Sequence, residues 1–341
     1  MHLDRFQEIT AKYPTLRLTI VGDFCLDRYL EIDPAKKEIS LETNLPVHNV
    51  VNVRNQPGAA GTILNNLVAL GAREILPVGF AGEDGEGYEL LRALEKKTAV
   101  CLDHFFQTAQ RRTFTYCKPL LVQGGKPPVE LNRLDTKNWT PTPGIVQEQL
   151  ISSVRQLSTR SDAMILMDQV DIPETGVVTG RLLDAIGSIA TTRPELLILG
   201  DSRRGLSGYP PVSFKMNRAE LGALTGTGLN LSLAEIKSTA ADLARKQGCK
   251  VFVTLAEQGI LGASPSGDVD HVMALPLRGE IDIVGAGDAV TANLTAAVAA
   301  GANLREALEI ANAAASVVIH QLGTTGTASV EQIREILKAT N

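Results

Sequence analysis

Four short apolar runs set what this chain can fold into. They are "LRLTIVGD" (Leu16–Asp23), "AMILMD" (Ala163–Asp168), "LLILGD" (Leu196–Asp201) and "KVFVTL" (Lys250–Leu255). Each is nearly continuous in aliphatic residues and too short for a buried helix, as expected of strands covered on both faces. Helical patterns lie between them, at Gly61–Leu70, Gly85–Lys97, Thr142–Leu157, Glu174–Ile189 and Leu233–Gln247. This alternation predicts an α/β fold: a doubly wound, mostly parallel sheet flanked by helices. Three of the four runs end in an aspartate (Asp23, Asp168, Asp201). Ligands in such folds bind beyond the carboxyl ends of the strands, so these acids point toward a site.

Two segments break the rhythm. Residues 28–56 carry the period-2 stretch "NLPVHNVVNV" and no helix. Residues 105–135 read as two or three strands joined by turns at Gly124–Gly125 and Pro127–Pro128. Thirty structureless residues in a row are unusual, so the two segments are expected to pair as a small antiparallel β lid over the main sheet. Toward the C-terminus, Asn303 with Glu306 forms a capping-box pattern, and Ser329 with Gln332 opens the last helix.

Composition narrows the function. The chain has 341 residues, 44 % of them apolar, enough for one large α/β domain or two smaller ones. A net charge of −5 argues against a nucleic-acid or anionic-membrane surface. No apolar leader core stands near the N-terminus and no run of about 18 apolar residues occurs, so neither a secretory signal nor a membrane span is expected. Four scattered cysteines (Cys25, Cys101, Cys117, Cys249) form no C-x-x-C pair and read as reduced thiols of a cytoplasmic protein. The five histidines show no metal-ligand spacing.

The most chemically loaded stretch is "EIDIVGAGDAVTANLTAAVAAG" (Glu280–Gly301). Gly285, Ala286 and Gly287 precede Asp288 at the mouth of a helix. Small residues there let an anion approach the free N–H groups of the first helical turn, making an anion hole. Asp288 would repel that anion, so its use there is to take a proton from a hydroxyl that attacks phosphorus. Three other readings compete. Asp288 could be an ordinary acid favoured by the helix dipole. The turn could be a dinucleotide fingerprint, but Val290 stands where the third glycine belongs. A Walker A loop is absent from the sequence.

"DIVGAGDA" resembles the C-terminal signature of the ribokinase-like (PfkB) carbohydrate kinases. "IVGDFCLDRY", "EISLETNLPV", "PGAAGTILNNLVALGA", "NRLD", "KMNRAELGALTG", "VTLAEQG" and "ANAAASVVIHQLGTTGTAS" follow the family order across nearly the whole chain, most nearly that of the heptose-7-phosphate kinases. The resemblance implies a single kinase domain over 1–341 with a lid from about 28–56 and 105–135. It implies an ATP-dependent kinase acting on a hydroxyl of a sugar or sugar phosphate. Asp288 would be the catalytic base, with Gly285, Ala286 and Gly287 as the anion hole. Asp27, Gly58, Ala59, Thr62 and Arg133 would lie on the sugar side. Asn217 and Glu220 would position Mg²⁺ through water, and Thr254, Gly259 and Asn312 would border the nucleotide. ATP and Mg²⁺ are the implied cofactors, with a monovalent cation as a further candidate; a homodimer through the lid is the implied assembly, with no nucleic-acid or membrane partner.

The departures fall on the sugar side. Ala59 replaces the family's second glycine, Thr62 stands at the substrate asparagine with Asn65 and Asn66 nearby, and "DQVDIPETG" and "DSRRG" replace lysine-bearing motifs. Arg203 or Arg204 could take over from the second of those lysines. Arg28, Arg111, Arg112, Lys118 and Arg133 are candidate cations for a sugar phosphate. A catalytically weak nucleotide- or sugar-binding regulator of the same fold is the alternative reading.

Overall fold

The computed structural model describes residues 1–125 and 127–340; Lys126, within the expected lid, and Asn341 lie outside them. The apolar runs become neighbouring strands of a nine-stranded sheet. In spatial order its strands are Val269–Val272, Ile260–Ala263, Val251–Thr254, Ser213–Asn217, Leu197–Ser202, Ala163–Asp168, Arg17–Gly22, Glu74–Gly82 and Phe105–Thr108. All pairings are parallel except the two hairpins that bring in Ile260–Ala263 and Val269–Val272. Parallel strands need crossover connections, and the helices that supply them cover both faces.

Two apolar cores result. Helices Ala60–Ala69, Ala286–Ala299, Leu304–Val318 and Val330–Thr340 bury one face of each in the first core, around Ile20, Ile165 and Phe252. Helices Gly144–Ser158, Gly180–Thr192 and Leu233–Gln247 close the second, around Met164, Leu166 and Phe214. The Asn303/Glu306 capping box is formed, with both reciprocal bonds.

A smaller sheet stands on the rim. It orders Leu134–Thr136, Phe114–Leu121, Phe24–Ile32 and Val50–Ala59, with Val129–Glu130 added at one end. It is mostly antiparallel, but Phe24–Ile32 and Phe114–Leu121 run parallel. Phe24–Ile32 follows the central strand Arg17–Gly22 after the single residue Asp23, so one chain passes from main sheet to lid.

The structure corrects several expected details. Phe105–Thr108 joins the edge of the main sheet instead of the lid, paired with Gly79–Gly82. The helix expected from Glu174 begins at Gly180, because Glu174 adopts φ +66° and Thr179 caps the helix through Leu182 N. Thr142 lies outside its helix, donating to Gly176 O at 2.6 Å while Pro143 takes the N-cap position. Among the described residues, no helix is long and apolar enough to cross a membrane.

Candidate active site

The turn "GAGD" lies over the carboxyl ends of the central strands. Gly285 is the N-cap of helix Ala286–Ala299, with φ +83° and no side-chain cap; Ala286 N donates to Ile283 O at 3.2 Å, which leaves the next N–H groups of the first turn, those of Gly287 and Asp288, to face a ligand. A Cβ at Gly285 would stand 3.3 Å from Thr325 Cα and 3.6 Å from Thr62 Cγ2. Thr62 is thus brought beside the anion turn, and its buried hydroxyl oxygen has no hydrogen-bond partner among the described residues.

Asp288 sits half-buried in the first turn of that helix. Burial, and then the charge of Asp201, push its carboxyl up to about 7; Lys215 opposes the shift and Asp27 adds to it. A carboxylic acid poised near neutrality is suited to accept a proton at working pH. Below it lies a cluster the sequence does not announce. Buried Asp201 Oδ2 accepts from Lys215 Nζ at 2.8 Å and from Thr291 Oγ1 at 2.8 Å. Lys215 keeps its charge: burial opposes this, but the carboxylate of Asp201 more than offsets it. The visible signal is one charged residue inside the strand "SFKMN", which otherwise reads as buried.

Across the cleft, Asp27 is buried on the lid strand, in register with Tyr116 and Gln56. Its partner is Lys118, at 3.5 Å, which also lies 4.9 Å over the Tyr29 ring. Burial raises the Asp27 carboxyl and Lys118 partly counters it. Gly58 closes against this pair: a Cβ there would meet Asp27 Oδ2 at 2.6 Å and Cys25 Sγ at 2.7 Å. Gln56 bridges the lid to the turn region through Thr325 Oγ1 at 2.8 Å.

Ala59 carries φ +53° and ψ −118°, a backbone state that favours glycine. It is strained where the resembled family has glycine. Ala59→Gly should therefore raise the melting temperature on the order of 2 °C, in the same direction as the ordinary preference for glycine over alanine at an N-cap. A thermal melt that falls instead would show that the strain is absent.

Asn217 and Glu220 form a complete capping box at helix Arg218–Thr225, at 2.7 and 2.9 Å, which uses one of the two Glu220 carboxylate oxygens. Burial raises the Glu220 carboxyl, and Lys215 opposes that. Thr254 is in register with Asn217 on the next strand. Gly259 has φ +90° and passes against the Val272 carbonyl; Asn312 donates to Met273 O at 2.9 Å. Among the described residues, no three His, Cys, Asp or Glu side chains converge as a metal cage. The chemistry of the Asn217–Glu220 pair still fits a hard cation that keeps most of its water.

The other candidate residues have partners of their own. Arg133 pairs with Asp135 and lies 4.7 Å over the Tyr116 ring, at the lid rim. Arg111 is buried and donates to the carbonyls of Thr140 and Thr175, so it shapes the loop and is not free for phosphate. Arg204 is held by Asp168, Arg203 by Asp171 and Arg28 by Glu86. Asp23 accepts from the amides of Gln169, Val170 and Val177; burial and the adjacent Asp168 push its carboxyl up to about 7. Of the three strand-ending acids, Asp201 is the one that bonds to the helix of the anion turn, through Thr291. Asn66 is consumed in tying helix Ala60–Ala69 to Gly326 and Ala328.

A glycine-capped helix mouth, an acid poised near neutrality and a buried cation at the strand ends of a doubly wound sheet are the groups that phosphoryl transfer calls for. The chain belongs to the pfkB family of carbohydrate kinases, whose model matches residues 20–331. It is 29 % identical to the bifunctional protein HldE of Bradyrhizobium sp. (strain ORS 278), over 97 % of this chain and 66 % of that protein. It is 30 % identical to HldE of Hyphomonas neptunium, over 94 % of this chain and 63 % of that one. The chain thus spans just under two thirds of these relatives. Its fold matches Escherichia coli phosphofructokinase-2 in complex with substrates and products, with TM-score 0.73 and 18 % identity, covering 95 % of this chain and 99 % of that one. It also matches Arabidopsis thaliana ribokinase complexed with ribose and ATP, with TM-score 0.68 and 20 % identity over the same shares.

Proposed function

We propose that this chain transfers the γ-phosphoryl group of ATP to a hydroxyl of a sugar or sugar phosphate, heptose 7-phosphate foremost, in the cytoplasm. The observation that carries the reading is the Asp288 carboxyl, raised toward 7, in the first turn of a helix whose N-cap is Gly285. Asp27, seated against Gly58, holds the acceptor's hydroxyls, with Ala59, Thr62 and Arg133 around them. Asp288 takes the proton of the attacking hydroxyl. The amides of Gly285, Ala286 and Gly287 receive the phosphoryl oxygens. Asn217 and Glu220 would hold Mg²⁺ through water near the phosphates, with Thr254, Gly259 and Asn312 along the nucleotide. Mg²⁺ supplies charge neutralisation of those phosphates; a monovalent cation would add to it nearby. The lid excludes water, which would otherwise compete as acceptor.

The pH dependence follows from the base. Asp288 works only deprotonated, so kcat/KM is expected to rise with pH through a midpoint of about 7 and to level above it. A profile already flat from pH 5 upward would contradict this. The acceptor itself is tested by ADP release against a panel of sugars and sugar phosphates. Turnover with none of them, alongside calorimetric binding of one, would favour the regulator reading.

The lid also supports a homodimer. Val51 and Val53 are 44 % and 43 % exposed on the edge strand, on the face turned away from Asp27, and Leu45 and Leu134 are 64 % exposed. An uncovered apolar sheet edge invites pairing with a second copy. Multi-angle scattering should give about twice the 36.4 kDa chain mass, and the chain mass alone for Val51→Lys/Val53→Lys. A wild-type protein at the single-chain mass would remove the dimer.

A further inference from the structure

The buried Lys215 has more hydrogen-bonding capacity than its surroundings use. It is 8 % exposed on the strand Ser213–Asn217. Its ammonium carries three N–H donors, yet among the described residues it makes one hydrogen bond, to Asp201. That bond does not need a lysine to satisfy the acid, because Thr291 already donates to the same oxygen. The ammonium also lies where the helix mouth opens: a Cβ on Gly287 would stand 3.1 Å from Lys215 Nζ. Three acids face it, Asp201, Asp288 and Glu220. The local charge is therefore net negative where an anionic group must come to rest. Burying a lysine in a strand is unfavourable unless its charge is used.

We propose that Lys215 is a catalytic residue of this chain, donating to the terminal phosphoryl group as it passes from ATP to the acceptor. Asp201 and Thr291 are positioning residues: they tie the lysine to the first turn of helix Ala286–Ala299, so cation and anion hole move as one unit. The inference rests on the kinase reading above. In the step itself, the acceptor O–H proton goes to Asp288 and the acceptor oxygen bonds to the γ-phosphorus. The bond from that phosphorus to the bridging oxygen breaks, and its electron pair leaves on the β-phosphate of ADP. Lys215 keeps its proton throughout and stabilises charge on the moving group. Sequence position gives the arrangement a simple logic, since Lys215 and Asn217 lie two residues apart at one strand end.

The test compares two nucleotides that differ only at the terminal group. Binding of β,γ-imido-ATP and of ADP, each with Mg²⁺, is measured by calorimetry for wild type and Lys215→Met. The variant is expected to bind the triphosphate analogue about tenfold more weakly, the loss of one charge-assisted hydrogen bond, and ADP within about twofold of wild type. Equal weakening of both nucleotides, or of neither, overturns the inference. Should Lys215→Met melt below the assay temperature, Asp201→Asn/Lys215→Met removes the ion pair as a pair, and the same two titrations decide. A wild type that binds neither nucleotide overturns the kinase reading as well; where wild type binds both, the comparison bears on Lys215 alone.

Discussion

Asp288→Asn is expected to lower kcat by at least ~10²-fold while leaving the affinity for ADP nearly unchanged. The amide keeps the size and polarity of the carboxyl but cannot take the acceptor's proton. The N–H groups of Gly287 and residue 288 at the mouth of helix Ala286–Ala299 stay in place, so nucleotide binding should survive. Stability supplies an independent check of the raised pKa. The folded carboxyl holds its proton up to about 7, whereas an unfolded aspartate releases it near 3.8. Between those values the native state binds more protons than the unfolded chain, so this group's contribution falls as pH rises and reaches its least favourable level above about 7. Asp288→Asn should therefore melt higher than wild type at pH 8, with the difference shrinking toward pH 4. A variant that turns over normally would remove Asp288 from the chemistry; equal melting at both pH values would remove the pKa shift.

The second large effect falls on the acceptor. Asp27→Ala should reduce kcat/KM for the sugar by roughly 10²-fold or more, because hydrogen bonds to a charged group contribute about 1.5–3 kcal/mol each and a sugar offers two hydroxyls. The same change strips Lys118 of its carboxylate partner at 3.5 Å. Asp27→Asn separates the two roles, since it retains hydrogen bonding without the charge. Nucleotide affinity should be unaffected in either variant. A loss confined to ATP affinity would place Asp27 on the wrong side of the cleft.

The parts of this site that depend on neighbouring residues are legible in the amino-acid sequence alone. The strand runs are legible because a sheet covered on both faces demands continuous apolar residues. The glycine turn that opens helix Ala286–Ala299 is legible because few residue types tolerate φ +83° at a helix mouth. The capping pairs Asn217/Glu220 and Asn303/Glu306 are legible because each is completed within one turn. What is hidden depends on contacts far apart in the chain. Asp201 meets Thr291 across 90 residues, and no local pattern marks that pairing. The aspartates after the strands look alike in sequence, yet Asp23 is spent on loop amides and Asp168 on Ser202, Arg204 and Tyr209. Phe105–Thr108 carries the same alternation as the lid strands, and only its parallel pairing with Gly79–Gly82 assigns it to the main sheet. Arg111 shows why a basic residue near a cleft is weak evidence: its two terminal nitrogens donate to the carbonyls of Thr140, Pro141 and Thr175.

The sugar side is where chemistry and sequence match least. Ala59 holds a strained conformation at a position where the family's glycine would relax it, and Thr62 brings an unpartnered hydroxyl to the anion turn. Under the proposed reading both bear on which sugar fits, and neither alters the proton path to Asp288. The transfer step itself is therefore the place to test the account. Wild-type protein is incubated with Mg²⁺, γ-labelled ATP and heptose 7-phosphate, in parallel with unphosphorylated hexoses and hexose phosphates, and the label is followed. The account predicts label in the sugar fraction, appearing at least ~10²-fold faster than with Asp288→Asn. Label released only as inorganic phosphate, at one rate with or without any sugar, would contradict it.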